Sequence, residues 1–217
     1  VRDFRAAEEP GGHPDFQAFG GMTPSKGIVD VLLGSDRKPV YAFEGAFFSA
    51  ENGPQTTSRE RFDQWYRNTE GVNQSIEVEL ELVQGDNGIS TFQSNAFFPI
   101  DGQGFGNYQA EKNGIHNYHF TFELHSELQY RGGEVFQFSG DDDLWVFINN
   151  RLAIDLGGLH IYQSQSVSLD DIAEDFGLEP GNTYPLDLFH AERSTVESNF
   201  RIDTSLEFTN CQPIIIL

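Results

Sequence analysis

Cysteine is nearly missing from this chain of 217 residues. Cys211 stands alone, so no intrachain disulfide can form and the fold does not rest on a disulfide framework. Basic residues are scarce as well: 13 Lys and Arg face 34 Asp and Glu, a formal net charge of −21. A chain this acidic is repelled by nucleic acid and by anionic membrane surfaces, so neither is an expected partner. No apolar run approaches the ~18 residues of a membrane-spanning helix. The apolar tail at residues 213–217 is too short to anchor the chain. There is no Gly-x-Ser-x-Gly elbow, no Walker loop and no EF-hand calcium loop. No internal repeat or low-complexity segment interrupts the sequence. It opens at Val1 without a methionine or signal peptide, and reads as a mature or excised segment with its targeting signal elsewhere.

What the chain has is aromatic bulk and turns. Twenty Phe, seven Tyr and two Trp supply core material, and 22 Gly with nine Pro imply many reversals. Residues 1–25 are rich in Gly, Pro and charge and read as an irregular lead-in over the surface. "TTSRERFDQWYRN" predicts a helix, with Thr57 and Glu60 at capping-box spacing and Phe62, Trp65 and Tyr66 on one face. "SLDDIAEDFG" predicts a second, capped by Ser168, striped by Leu169, Ile172 and Phe176, and stopped by Gly177. The remainder alternates with period two. In "SIEVELELV", Ile76, Val78, Leu80 and Leu82 oppose Glu77, Glu79 and Glu81, which predicts a half-buried strand with an acidic outer face. "NYHFTFELHSELQY", "EVFQFSG" and "LWVFI" follow, then Asn149 and Asn150 as a hairpin turn into "RLAIDLGG". Late strands are read in "TYPLDLFHA" and "NFRIDTSLEF". The fold class is all-β: an antiparallel β-sandwich or barrel with short flanking helices, in one domain over residues 1–217.

"FSGDDDLWVFINNRLAIDLGGLH" holds the densest chemistry. Asp141, Asp142 and Asp143 stand in a row where a buried strand begins. Adjacent carboxylates repel one another unless they face water or something positive sits among them. Two readings stay open: a polar turn, for which Asp and Gly suit, or acids that take up protons or recruit a hard cation such as Ca²⁺.

This segment resembles the signature of the fibro-slime domain, of the wider lectin superfamily of the anthrax protective-antigen domain and the yeast flocculin adhesins. "HPDF", "KPVY", "FDQWY", "FFPIDGQGFGN" and "AERSTVESNFRIDTSLEF" are similar to further fibro-slime segments, in order along the chain. The resemblance implies that Asp141 and Asp142, joined by a cis peptide, bind a Ca²⁺ ion that chelates two vicinal hydroxyls of a sugar. Asp143 falls where the wider family often has Gly. The remaining ligands are implied in a loop at roughly residues 192–199, with Glu197 and Asn199 as candidates and Glu192 behind them as a sugar contact. Asn199 is equally a turn residue.

Other candidates each have a structural alternative. His116 and His119 in "HNYH" have a spacing found in zinc sites, but residues three apart on a strand face opposite sides. His160 either reaches the sugar site or is a structural histidine. Asp155 either bonds its own loop or supports the site from behind. Trp145 reads as core, within a strand apolar on both faces. "DGQGFGN" is either an ion-binding loop or a plain turn. The expected function is a Ca²⁺-dependent carbohydrate-binding domain of a secreted or surface adhesin, not an enzyme, taking cell-surface glycans. The alternative is a structural or protein-binding matrix module with a purely structural Ca²⁺. The oligomeric state is not fixed by the sequence.

Overall fold

The computed structural model describes residues 1–209, so Cys211 and the apolar tail lie outside the described residues. In chain order the first strands are β1 (Arg2–Asp3), β2 (Phe48–Ser49), β3 (Gly53–Pro54), β4 (Gln74–Ser75), β5 (Val83–Gln84), β6 (Ser90–Ser94), β7 (Tyr108–Gln109) and β8 (Ile115–His116). The longer ones follow: β9 (Phe120–Gln129), β10 (Val135–Gly140), β11 (Asp143–Ile148), β12 (Arg151–Leu156), β13 (Gln163–Ser168), β14 (Thr183–Glu192), β15 (Phe200–Thr204) and the short β16 (Glu207–Phe208). Helix α1 (Arg59–Asp63) precedes β4, and α2 (Leu169–Phe176) precedes β14.

The strands form two antiparallel sheets, as the all-β reading expects. One runs β12-β11-β14-β9-β1-β4 with β16 also pairing β9, and the other runs β13-β10-β15-β6-β5. Several connections cross between the sheets, and three of them share an end. The chain passes from β10 to β11 at Asp141 and Asp142, from β12 to β13 through residues 157–162, and from β14 to β15 through residues 193–199. The register puts all three at one end, since Gly140 pairs with both Gln163 and Phe200 while Asp143 pairs with Ala191 and Leu144 with Leu156.

β11 is buried on both faces because the molecule has two cores. Leu144, Val146 and Ile148 point between the sheets with Phe122, Phe138 and Phe200. Trp145 and Phe147 point the other way, into a second core with Phe4, Phe16, Tyr41, Phe62 and Trp65. That second core comes largely from the first 73 residues. The lead-in at residues 1–25 is irregular except for β1, which pairs between β9 and β4, and Phe4 and Phe16 are buried rather than spread over the surface.

Several local readings hold in detail. Asn149 and Asn150 have φ of 49° and 62°, the left-handed pair that a two-residue hairpin requires. Gly177 closes α2 at φ 67°. Others are corrected. The first helix is capped by Ser58, which accepts from the Arg61 N–H, and not by Thr57. "SIEVELELV" keeps its alternation, with Ile76, Val78, Leu80 and Leu82 packed on the inter-sheet core and the glutamates exposed. Between Ser75, which ends β4, and Val83, which opens β5, it joins no ladder, however. It runs from the edge of one sheet to the edge of the other, so its apolar side is covered while no strand lies alongside. Among the described residues, no helix is long and apolar enough to cross a membrane.

Phe200 anchors the core beneath the crossing end. Its ring stacks on Phe97 at 4.5 Å and meets Phe138 edge-on at 5.0 Å. Phe200→Ala should therefore cost about 3–5 kcal/mol, while Phe48→Ala, at a side chain 66% exposed, should stay within about 0.5 kcal/mol. Urea denaturation of both variants, read as midpoint shifts at constant slope, checks the pair.

Candidate functional site

The three aspartates lie where the crossings meet, and each is held differently. Asp143 opens β11 and is fully buried against Arg193, which follows β14. Arg193 Nε and Nη2 both lie 2.7 Å from Asp143 Oδ2, and Gly158 N–H donates to Oδ1 at 2.6 Å. Nη1 of Arg193 donates to the carbonyls of Gln55 and Asp15 at 2.8 and 3.2 Å, and its guanidinium lies 4.6 Å over the Trp65 ring. A positive charge does sit among the carboxylates. It is spent on the third of them.

Asp141 and Asp142 keep the excess negative charge. Asp142 Oδ2 accepts the Arg193 main-chain N–H at 2.9 Å, and its own N–H reaches the His160 carbonyl at 3.4 Å. Asp141 Oδ1 accepts the Asn199 N–H at 2.6 Å, and the Asp141 carbonyl meets His190 Nε2 at 3.3 Å. Asp141 Oδ2 is buried with no hydrogen-bond partner, and so are both carboxylate oxygens of Glu192. Close approach is built in at Gly140, where a Cβ would stand 2.4 Å from the Asn199 carbonyl oxygen. Any larger residue would push loop 193–199 off the aspartates.

Burial, and then the neighbouring Asp142 charge, lift the Asp141 carboxyl to about 7. Asp142 is raised by its own burial, against the opposing Arg193 N–H and charge. Glu192 is pushed well above the ordinary carboxylate range by burial and then by Asp142 and Asp141. Three acids thus share a desolvated space whose nearest cation is already paired. Such groups retain protons or gather around a cation.

The residues read from the sequence come together in part. Asp141, Asp142, Glu192 and Asn199 meet at this end, and the Glu197 charge acts on Asp141. Glu197 is exposed at φ 72°, and its Oε2 accepts the Asn199 carboxamide N–H at 3.1 Å. His160 lends its carbonyl to Asp142, whereas its ring nitrogens lie 2.9 and 3.1 Å from the carbonyls of Ile161 and Leu156. The ring is thus committed to main chain, the structural role.

The cis peptide implied between Asp141 and Asp142 is corrected. No peptide among the described residues is cis, and Asp142 makes the turn at φ 53°, in the left-handed region that Asp tolerates better than most residues. Among the described residues no three His, Cys, Asp or Glu side chains are grouped so as to hold a metal ion. An ion here would need main-chain or carboxamide oxygens as well.

The remaining candidates resolve into structural roles. His116 pairs with Asp101 at 2.6 Å, while His119 turns to Gln17 at 3.2 Å. Asp155 accepts from Trp145 Nε1, Gly157 and Gly27. Trp145 is fully buried. The "DGQGFGN" loop wraps around Asp3, which accepts from Phe105 N–H and Asn117 Nδ2, while Asp101 is taken by His116 and the Asn117 N–H. Arg193 is what the sequence reading missed. Its one signal was the requirement that adjacent acids need a positive neighbour, which names no residue.

Comparison with known proteins gives this geometry a setting. The family described as "PA14 domain" matches residues 99–216, which include the aspartate row and the loop facing it. "Protein psiR" of Dictyostelium discoideum is 44% identical over 210 residues, covering 92% of this chain and 20% of the relative. "Protein psiC" of the same organism is 39% identical over 211 residues, covering 93% of this chain and 40% of the relative. The chain thus spans about a fifth to two fifths of the length of these relatives.

Arg193→Met should cost about 3–5 kcal/mol in urea denaturation, because it leaves Asp143 buried without its cation, and adding Asp143→Leu should recover much of that loss. A second expectation concerns pH. Asp141 ordinarily titrates at 3.8 but holds its proton to about 7 in the fold, so its stabilisation is present at low pH and lost as pH rises through that window. Buried His13, His119 and His190, lowered to about 3, 4 and 3, tilt the curve the other way below their ordinary 6.5. The difference between wild type and Asp141→Asn isolates the acid. In chelator-treated protein, wild type should lose on the order of 3 kcal/mol relative to the variant between pH 4 and 7, measured by denaturation at stepped pH.

Proposed function

Because this chain belongs to the PA14 domain family, we propose that it is a Ca²⁺-dependent carbohydrate-binding domain of the fibro-slime kind, from a secreted or surface-attached protein. One observation carries the reading: the buried, unpartnered oxygens of Asp141 and Glu192 beside Asp142. Unpaired buried acids are costly, and hard oxygen donors of this kind suit Ca²⁺, which collects about six to eight of them from carboxylates, carbonyls and carboxamides. The fit favours Glu192 as a metal ligand over Glu197, which is exposed and already bonded to Asn199. No more than two of Asp141, Asp142 and Glu192 would hold the ion together, joined by oxygens of loop 193–199 such as the Asn199 carboxamide. Bound there, the ion would supply two coordination positions to vicinal hydroxyls of a sugar.

The chain's own residues do the rest. Arg193 ties the loop to Asp142 and Asp143, so the donors are held before a ligand arrives. The Asn199 main chain clamps Asp141 on both sides, with its N–H on Oδ1 and its carbonyl on the Asp141 N–H. Binding rather than catalysis is the better reading of these acids. Glycoside hydrolysis places two carboxyl groups about 5–5.5 or 6.5–9.5 Å apart on opposite sides of the scissile bond, whereas Asp141 and Asp142 are neighbours on one turn. One sugar ring buries little area and binds weakly, and many copies on a surface would give useful adhesion.

Calorimetric titration of chelator-stripped protein with CaCl₂, then with a monosaccharide panel, tests this for wild type, Asp142→Asn and Glu192→Gln. Ca²⁺ heats followed by sugar heats, with at least a tenfold weaker Ca²⁺ affinity in each variant (about 1.4 kcal/mol), is the expected result. Ca²⁺ affinity should also rise with pH through the Asp141 titration, because binding displaces that proton. Ca²⁺ heats with no response to any sugar would replace the lectin with a matrix module holding a structural ion. Protein that takes up no Ca²⁺ at neutral pH would end both readings.

A further inference from the structure

Loop 193–199 has two sides, and only one faces the acids. On the far side, Gln17 Nε2 donates to Thr195 Oγ1 at 3.2 Å, the Gln17 N–H donates to the Arg193 carbonyl at 2.8 Å, and Asn113 Nδ2 donates to the Thr195 carbonyl. Gln17 holds this position at φ 57°, an unusual conformation for a residue with a side chain. Between the loop and these partners lies a recess of about 450 Å³, bordered by Tyr108, Lys112, Asn113 and Val196. That volume is within the range of about 300–1,000 Å³ found for small-molecule sites.

The lining specifies a ligand class. Gln17 has both ends of its carboxamide engaged, one with Thr195 and the other with His119, so it positions the wall rather than the ligand. Lys112 is exposed and forms no ion pair among the described residues, which leaves its ammonium free to donate. Tyr108 offers a ring whose hydroxyl is fixed by Glu8 at 2.5 Å. Glu8 and Glu111 outnumber Lys112 in the lining, and the whole chain carries −21. An anionic ligand is disfavoured there. A neutral polyhydroxylated one, able to accept from Lys112 and donate to the glutamates, is suited.

We propose that this recess is a second saccharide subsite, taking the neutral sugar unit linked to the one held at Asp141 and Asp142. The proposal rests on the lectin reading above and deepens it from a monosaccharide to an oligosaccharide site. Val196 is 62% exposed on the same loop whose residues 193 and 199 bind the aspartates and whose residue 195 walls the recess.

The test follows amide shifts of ¹⁵N-labelled, Ca²⁺-loaded protein titrated with matched sugars: methyl α-glucopyranoside and maltose, methyl α-mannopyranoside and mannobiose, methyl β-galactopyranoside and lactose. For the pair that is bound, the monosaccharide should move the amides of Asp141, Asp142 and Asn199. The disaccharide should also move those of Lys112, Asn113 and Thr195, and bind about tenfold tighter. Lys112→Ala, an exposed substitution that leaves the fold intact, should remove severalfold of the disaccharide gain with no change in the monosaccharide Kd. A disaccharide that binds no tighter and leaves the recess amides unmoved, while the aspartate amides respond, overturns the subsite and leaves the lectin reading standing. Shifts in the recess alone overturn the link between the two sites. No shifts in either place, with any sugar, overturn the subsite together with the lectin reading.

Discussion

The ion pair between Arg193 and Asp143 is the constraint on which this end of the molecule depends. Both side chains are fully buried, where separating them strands a charge. The guanidinium is braced by two carbonyls from the N-terminal layer and by the face of Trp65. It therefore locks three parts together: the start of β11, the end of β14 and the layer over the outer face of that sheet. Loop 193–199 is then forced to return over Asp141 and Asp142. The Arg193 charge also pulls on Asp142, but it does not offset the burial of that carboxyl. The remaining acids, Asp141, Asp142 and Glu192, are left in a protonated or cation-seeking state by the same contact that places them.

The two-core design explains why so much of the N-terminal region is irregular and yet well held. Strand β11 shows Leu144 and Val146 to one core and Trp145 and Phe147 to the other. A strand with two apolar faces must be covered twice. The second sheet covers one face, and residues 1–73 cover the other with few regular elements of their own. Buried polar links replace ladders there, such as Asp15 accepting from Trp65 Nε1 and Thr57 N–H. The layer can follow the contour of a sheet end and still satisfy its polar groups.

Much of this was legible in the sequence, and the exceptions share a cause. Period-two alternation gave β9, a short run apolar on both faces gave β11, and the Asn pair gave the hairpin, because each signal is local: side chains alternate and Asn tolerates positive φ. The acidic turn was legible too, since three aspartates before "LWVF" need an explanation wherever they fold. What failed was non-local. The alternation at Ile76 to Leu82 states that one face is covered, but not that a strand lies alongside. The position of Arg193 depends on which crossings share an end. Likewise, the ranking of Glu192 against Glu197 turns on burial, since Glu192 ends β14 and Glu197 stands exposed in the loop after it. The implied cis bond gave way to a left-handed Asp142, a choice between backbone solutions to one turn that composition does not decide.

The two sides of loop 193–199 couple regions far apart in sequence. Arg193 belongs to the loop through its N–H on Asp142 and to the N-terminal layer through its carbonyl on Gln17. Gln17 in turn grips Thr195 and is steadied by His119. A displacement of Gln17 would therefore reach the aspartates through a single residue, without passing through the sandwich core. In a sandwich whose sheets are fixed by dense aromatic packing, such crossings are where binding properties can vary without cost to the fold. The acid cluster and the recess use opposite faces of one such crossing. Substitution at exposed residue 196 would reshape the recess while Arg193 keeps the acids in place, whereas a change at residue 195 would loosen Gln17 and be felt at Arg193.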